Sequence, residues 1–120
     1  MNAFPSGAQV SFRFRREERL KKRDDIRDVF KKGRCAACSG AKLFVMKNDL
    51  PLNRIGFTFS RKFGNAVARN RARRLGREAY RRISSGLNPG HDMVLLVYPG
   101  KDTFQERLDQ LILLCAKAGL

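Results

Sequence analysis

Apolar residues recur along the chain with two different periods, and the switches between them divide it into helical and extended segments. Residues 1–12, with Pro5, Ser6 and Gly7, carry no period and read as a flexible arm, while Phe12 to Arg23 is basic and reads as extended. Ile26, Val29 and Phe30 fall at i, i+3 and i+4, which predicts a short helix with Asp24 or Asp25 as N-cap and Gly33 as its close. Leu43 to Met46 is a short apolar run, followed by turn chemistry from Asn48 to Asn53 around Pro51. Ile55, Phe57 and Phe59 then alternate with Arg54, Gly56, Thr58 and Ser60. The two runs are expected to pair antiparallel with one face buried.

The longest helical signal covers Ala66 to Ile83. At 100° per residue, Ala68, Ala72, Leu75, Ala79 and Ile83 gather into one narrow core stripe, and its three alanines predict close packing on a sheet. Arg69, Asn70, Arg73, Arg74, Arg77 and Arg81 gather into a separate arc. Asn88, Pro89 and Gly90 make a turn, Met93 to Tyr98 reads as a buried strand, and Pro99 with Gly100 ends it. Thr103 and Glu106 form a capping-box pattern for a last helix with Phe104, Leu108, Leu111, Ile112 and Cys115 as its apolar face.

Composition changes this picture through charge. The 120 residues suit one domain, and 26 basic against 11 acidic residues give a net charge of +15. Residues 54–82 hold ten basic side chains and one acidic, Glu78, whereas residues 83–120 are nearly balanced. A solvated helix face would need carboxylates at i+3 or i+4; without them the arginines repel one another unless an anion neutralises them. Arg outnumbers Lys nearly two to one, and guanidinium groups bind phosphates bidentately and stack on bases, which points to RNA. No apolar run reaches membrane-spanning length and no signal-peptide pattern opens the chain, so a cytoplasmic protein with no membrane partner is expected.

Catalytic chemistry is scarce. The single histidine, His91, sits in a turn, so no His-dependent triad is expected. Cys35 and Cys38 form a CxxC, but a tetrahedral zinc site needs four ligands and Cys115 lies far off on an apolar helix face, so no metal site is expected. Asp24, Asp25 and Asp28 alternate with Arg23, Arg27 and Lys31, which can neutralise them. Gly100 and Lys101 lack the glycine spacing of a phosphate-binding loop.

The run from Arg61 through Phe63-Gly64-Asn65-Ala66-Val67-Ala68-Arg69-Asn70-Arg71 to Tyr80 closely resembles the RNR region of the bacterial ribonuclease P protein subunit. Arg19 to Gly33 resembles that family's first helix and its approach, and Arg54-Ile55-Gly56-Phe57 its second strand region. The resemblance implies an α+β, single-domain α/β sandwich over residues 13–120, in the order α-β-β-β-α-β-α. It also implies a left-handed β-α-β crossover (ribosomal S5 domain 2-like), where pattern alone would favour a right-handed one.

It further implies that no side chain of this protein is catalytic. The catalyst would be a partner RNA whose Mg²⁺ ions activate water to cut precursor tRNA at the mature 5′ end, with no cofactor bound by the protein alone. Carried over by position, Arg61, Lys62, Arg69, Asn70, Arg71, Arg73, Arg74 and Arg77 would face the catalytic RNA, with Arg69, Asn70, Arg73 and Arg77 also within reach of the 5′ leader. Ile26, Phe30 and Lys47 would line a leader cleft, with Phe30 as a platform for single-stranded nucleotides. A ribosomal RNA-binding protein is the rival reading; a DNA-binding regulator is disfavoured because the Arg-rich helix lacks a helix-turn-helix partner.

Overall fold

The computed structural model describes residues 16–100 and 102–120. The expected arm at 1–12 and the first part of the extended approach lie outside them. A 3-10 turn at Arg16–Glu18 leads into α1 (Arg23–Lys32), β1 (Arg34–Cys38), β2 (Ala41–Lys47), β3 (Arg54–Phe59), α2 (Ala66–Ile83), β4 (His91–Val97) and α3 (Phe104–Lys117). The order is the expected one, in a single mixed α+β domain.

The sheet runs β1-β2-β4-β3. The expected antiparallel pairing of the Leu43 and Phe57 runs is therefore wrong: β4 lies between them, antiparallel to β2 and parallel to β3. Met93, Val94, Leu95 and Val97 are buried, so β4 is apolar toward both faces and gains most from the central position. The 18 residues of α2 supply the long crossover that parallel β3 and β4 require.

Alternation along the strands divides the hydrophobic residues between two faces. Ala41, Leu43 and Val45 of β2, with Ile55, Met93, Leu95 and Val97, pack under Ala79, Tyr80 and Ile83 of α2 and Leu111, Leu114 and Cys115 of α3. On the other face Val94, Phe44 and Met46 meet Leu20, Ile26 and Val29, so α1 covers that side.

Both long helices are turned from their expected faces. In α2 the buried set is Ala72, Gly76, Ala79, Tyr80 and Ile83, because a Cβ on residue 76 would lie 2.7 Å from the Phe57 ring and only glycine lets the helix come this close. In α3 Ile112 is exposed, while Arg107 and Gln110 are buried with Leu111, Leu114 and Cys115. Arg107 is only 2% exposed and bonds internally: it donates to Asp102 at 2.9 Å and to Gln110 at 2.7 Å while its Nε is buried without a partner, and Gln110 donates to the Ser39 carbonyl at 3.0 Å. A hydrophobicity pattern places an arginine outward and cannot see those partners. The expected N-caps of α1 also move inward. Asp24 and Asp25 occupy its first turn, where they favour the positive helix end, and Lys22 holds the cap position without a side-chain hydrogen bond.

The Thr103 cap is where the spacing puts it, and the structure adds a second at Asn65. Thr103 accepts from the Glu106 N–H at 3.2 Å, and Asn65 accepts from the Ala68 N–H at 2.9 Å to start α2. The chain before α1 is joined to β3 by a hydrogen bond from the Leu20 N–H to the Ile55 carbonyl at 3.0 Å. Gly56 makes that contact possible, since a Cβ there would lie 2.8 Å from the Leu20 carbonyl oxygen. Gly56→Ala is expected to cost about 1–3 kcal/mol through this backbone clash. Urea denaturation measures it, and an unchanged midpoint would mean that the Leu20 segment can retreat freely.

Candidate nucleic-acid interface

Arginine placement on α2 begins from the packing of Ala72, Gly76 and Ala79 against the sheet, which sets the rotation of the helix. The polar arc then separates into two rows. Arg69, Arg73 and Arg77 repeat at i+4 and are half-buried along the rim of β3, whereas Asn70, Arg71 and Arg74 point outward and are exposed. Arg61 and Lys62, in the turn before α2, are exposed as well.

Within the inner row Arg73 is preorganised by aromatic and polar neighbours. The Arg73 guanidinium lies 5.3 Å from the Phe59 ring centroid and donates to Asn70 Oδ1 at 2.9 Å. Phe59 in turn packs at 4.9 Å against Phe63, the aromatic of the turn that leads into α2. Among the described residues no carboxylate pairs with Arg69, Arg73, Arg74 or Arg77, and the Nε atoms of Arg69 and Arg77 are buried without a hydrogen-bond partner. Burial first, and then the charges of Arg19, Arg73 and Arg81, push Arg77 below its ordinary value. A guanidinium stays charged under such a shift, so the repulsion persists until an anion relieves it.

Other arginines have carboxylates nearby. Arg71, 65% exposed, approaches Asp102 with Nε at 3.6 Å from Oδ2. Arg81 pairs with Glu78 at 2.9 Å. Arg54 donates twice to the buried Asp92, at 2.8 and 2.6 Å, and those hydrogen bonds push its pKa up; Asp25 of α1 stands 4.0 Å away. Arg54 thus ties α1 to the sheet instead of facing outward.

Between α2 and the approach to α1 lies a concavity of about 220 Å³ lined by Arg19, Lys21, Ile26, Gly56, Arg73 and Arg77, with Leu20, Ile55 and Phe57 completing its wall. It carries the basic surface around the edge of β3 toward α1. There Phe30, 37% exposed, meets Phe44 of β2 edge-on, with ring centroids 4.7 Å apart and planes at 65°. Ile26 is half-buried in the small core and also lines the concavity.

Lys47 does not join Ile26 and Phe30. It has the parity of Ala41, Leu43 and Val45 and therefore leaves the sheet on the α2 and α3 side. The strand residue opposite Phe30 is Phe44, three positions earlier. The sequence does not single it out, because an apolar run carries no register of its own and an aromatic inside one is by default assigned to the core. Phe59, the support of Arg73, is not singled out for the same reason.

Cys35 and Cys38 fall on opposite faces of β1, paired with Phe44 and Ala41 respectively, so they do not converge on one ligand. Burial pushes the Cys115 thiol up to about 12 and also raises Cys38, which leaves both as inert thiols near neutral pH. His91 contributes its backbone N–H to Asn53 Oδ1 at 2.9 Å, at the start of β4. Among the described residues no three His, Cys, Asp or Glu side chains are grouped to hold a metal ion, and no helix is long and apolar enough to cross a membrane.

A family model described as Ribonuclease P matches residues 14–119, nearly the whole chain. The chain belongs to the Ribonuclease P protein family. A ribonuclease P protein component from Alkaliphilus metalliredigens is 38% identical over 104 residues, covering 85% of this chain and 94% of that protein. Another from Clostridioides difficile is 38% identical over 101 residues, with coverage of 82% and 89%. The solved RNase P protein from Thermotoga maritima superposes with a TM-score of 0.72 at 30% identity, over 83% of this chain and 96% of that one. Family membership therefore spans the arginine rows, the concavity and the Phe30–Phe44 cleft together.

Proposed function

We propose that this chain works as the protein subunit of ribonuclease P, binding a catalytic RNA and the 5′ leader of precursor tRNA. The observation that carries this reading is the row of half-buried, unneutralised arginines, Arg69, Arg73 and Arg77, running into an aromatic cleft at Phe30 and Phe44. The Arg73 guanidinium, placed in advance by Phe59 and Asn70, loses little freedom on meeting a phosphate. The aromatic edge accepts unpaired bases, which have exposed faces that a duplex hides. Arg61, Lys62, Arg71 and Arg74 form the outer contact with the catalytic RNA, and Ile26 supports the cleft floor. Membership of the family favours this reading over a ribosomal RNA-binding protein of the same size and charge.

Hydrolysis belongs to the partner RNA in this proposal, and Mg²⁺ held by that RNA supplies the activated water. The chain's own residues position phosphates, screen their repulsion and hold the leader. Cleavage of precursor tRNA by the catalytic RNA at limiting Mg²⁺, with and without the protein, tests it: the protein should stimulate cleavage and should cut nothing by itself. Metal-dependent cleavage by RNA-free protein would overturn the assignment. Arg73→Ala combined with Arg77→Ala should flatten the dependence of log affinity on log salt by about 1 per lost phosphate contact. An unchanged slope would remove the inner row from the interface.

A further inference from the structure

The face of the sheet that carries α1 is only partly covered by it. Ile26 and Val29 pack with Leu20 over Val94, Phe44 and Met46, and Phe30 rests on Phe44 at the border of that patch. Beyond the border, the same face continues. Lys42 is two residues from Phe44 on β2, its cross-strand partner is Leu96 on β4, and Leu96 in turn pairs with Thr58 on β3. Directly paired residues share a face, so Lys42, Leu96 and Thr58 form a continuous strip beside the aromatic cleft.

Tyr98 completes that strip. Its N–H donates to the Gly40 carbonyl at 3.0 Å, which extends the β4 pairing by one residue, and its parity matches Leu96. The Lys42 ammonium lies 5.9 Å from the Tyr98 ring centroid, which places both on the same side. Leu96 and Tyr98 are half-exposed and belong to neither hydrophobic core. The Thr58 hydroxyl oxygen is buried yet has no hydrogen-bond partner. The strip thus presents an aromatic face, an apolar side chain and a cation, above a buried hydroxyl.

We propose that Tyr98, with Lys42 and Leu96, is a second stacking step that takes one further unpaired nucleotide of the RNA strand held by Phe30 and Phe44. The proposal rests on the reading of that cleft as the leader site. Gly40 is four residues from Phe44, so the two aromatic positions are roughly 13 Å apart along the strand, too far to sandwich one base and suited to separate nucleotides. Lys42 matches the charge of the backbone between them, and stacking on an aromatic tolerates any base. A duplex, whose base faces are hidden, could not use the strip.

The test measures holoenzyme affinity for precursor tRNAs whose leaders grow one nucleotide at a time, for the wild type, Tyr98→Leu and Lys42→Gln. Tyr98→Leu keeps an apolar side chain on the sheet but removes the ring face. Wild-type affinity should rise with leader length in two stages, and Tyr98→Leu should lose the second, about five-fold or more at the longest leaders. Lys42→Gln should reduce the same stage and weaken its salt dependence. A length-dependent wild type matched at every length by Tyr98→Leu overturns this proposal alone. A wild-type affinity that ignores leader length overturns the cleft reading and this proposal with it. A Tyr98→Leu protein with a lowered melting temperature and an equal loss at every length makes Tyr98 a structural residue, and the proposal falls.

Discussion

Asp102→Asn is expected to destabilise the folded chain by about 3–5 kcal/mol, because it removes the countercharge of a guanidinium that has no route to water. Arg107 is 2% exposed, and Asp102 is the carboxylate it meets, at 2.9 Å. The Asp102 side chain is itself 23% exposed, so solvent shares in the screening and the loss should fall at the lower end of that range. The same arginine orders Gln110, which holds the turn between β1 and β2 through the Ser39 carbonyl, so the damage should spread to that edge of the sheet. Pairing Asp102→Asn with Arg107→Met removes both charges together and should restore most of the stability. Denaturation of both variants settles the point. If Asp102→Asn unfolds at the wild-type midpoint, the buried pair contributes nothing to stability.

Phe30→Ala should weaken binding of leader-bearing precursor tRNA to the holoenzyme by roughly 5- to 150-fold, the loss of one base stack at about 1–3 kcal/mol. Mature tRNA, which has no leader, should bind as before. The structure separates this effect from a folding defect. Val29, the neighbour of Phe30, is buried in the small core with Leu20 and Val94, but Phe30 lies outside that core and touches Phe44 edge-on. Truncation should therefore cost only about 0.5–1.5 kcal/mol of stability for the lost ring pair. Phe44→Leu offers an independent check, since it keeps the core contact and removes the second ring. A variant that binds both RNAs equally weakly and melts much lower would place Phe30 in the core and the leader elsewhere.

The cleft shows how far a sequence reading reaches. Ile26 and Phe30 are legible because their helical spacing and their match to a known pattern are both local properties. The resemblance places Lys47 in the same cleft by position alone, and a shift of one residue reverses the face of a β-strand. Only the pairing of β2 with β4, in which Phe44 meets Val94 and Lys47 meets His91, decides which of them faces α1.

By itself the chain determines its elements and its chemistry. The 3.6-residue period marks α2, alternation marks β3 and continuous apolar runs mark β2 and β4, and the excess of arginine without nearby carboxylates marks an anion-binding surface, since all depend on neighbours in sequence. Tertiary structure alone decides three further matters. It puts β4 at the centre of the sheet because that strand is apolar on both sides, and it buries Arg107 because Asp102 and Gln110 come together only in the fold. It also divides one arc of arginines into an inner and an outer row, because the approach of α2 to Phe57 through Gly76 sets the rotation of the helix. Each depends on contacts between residues far apart in the chain, whose partners no local period can name.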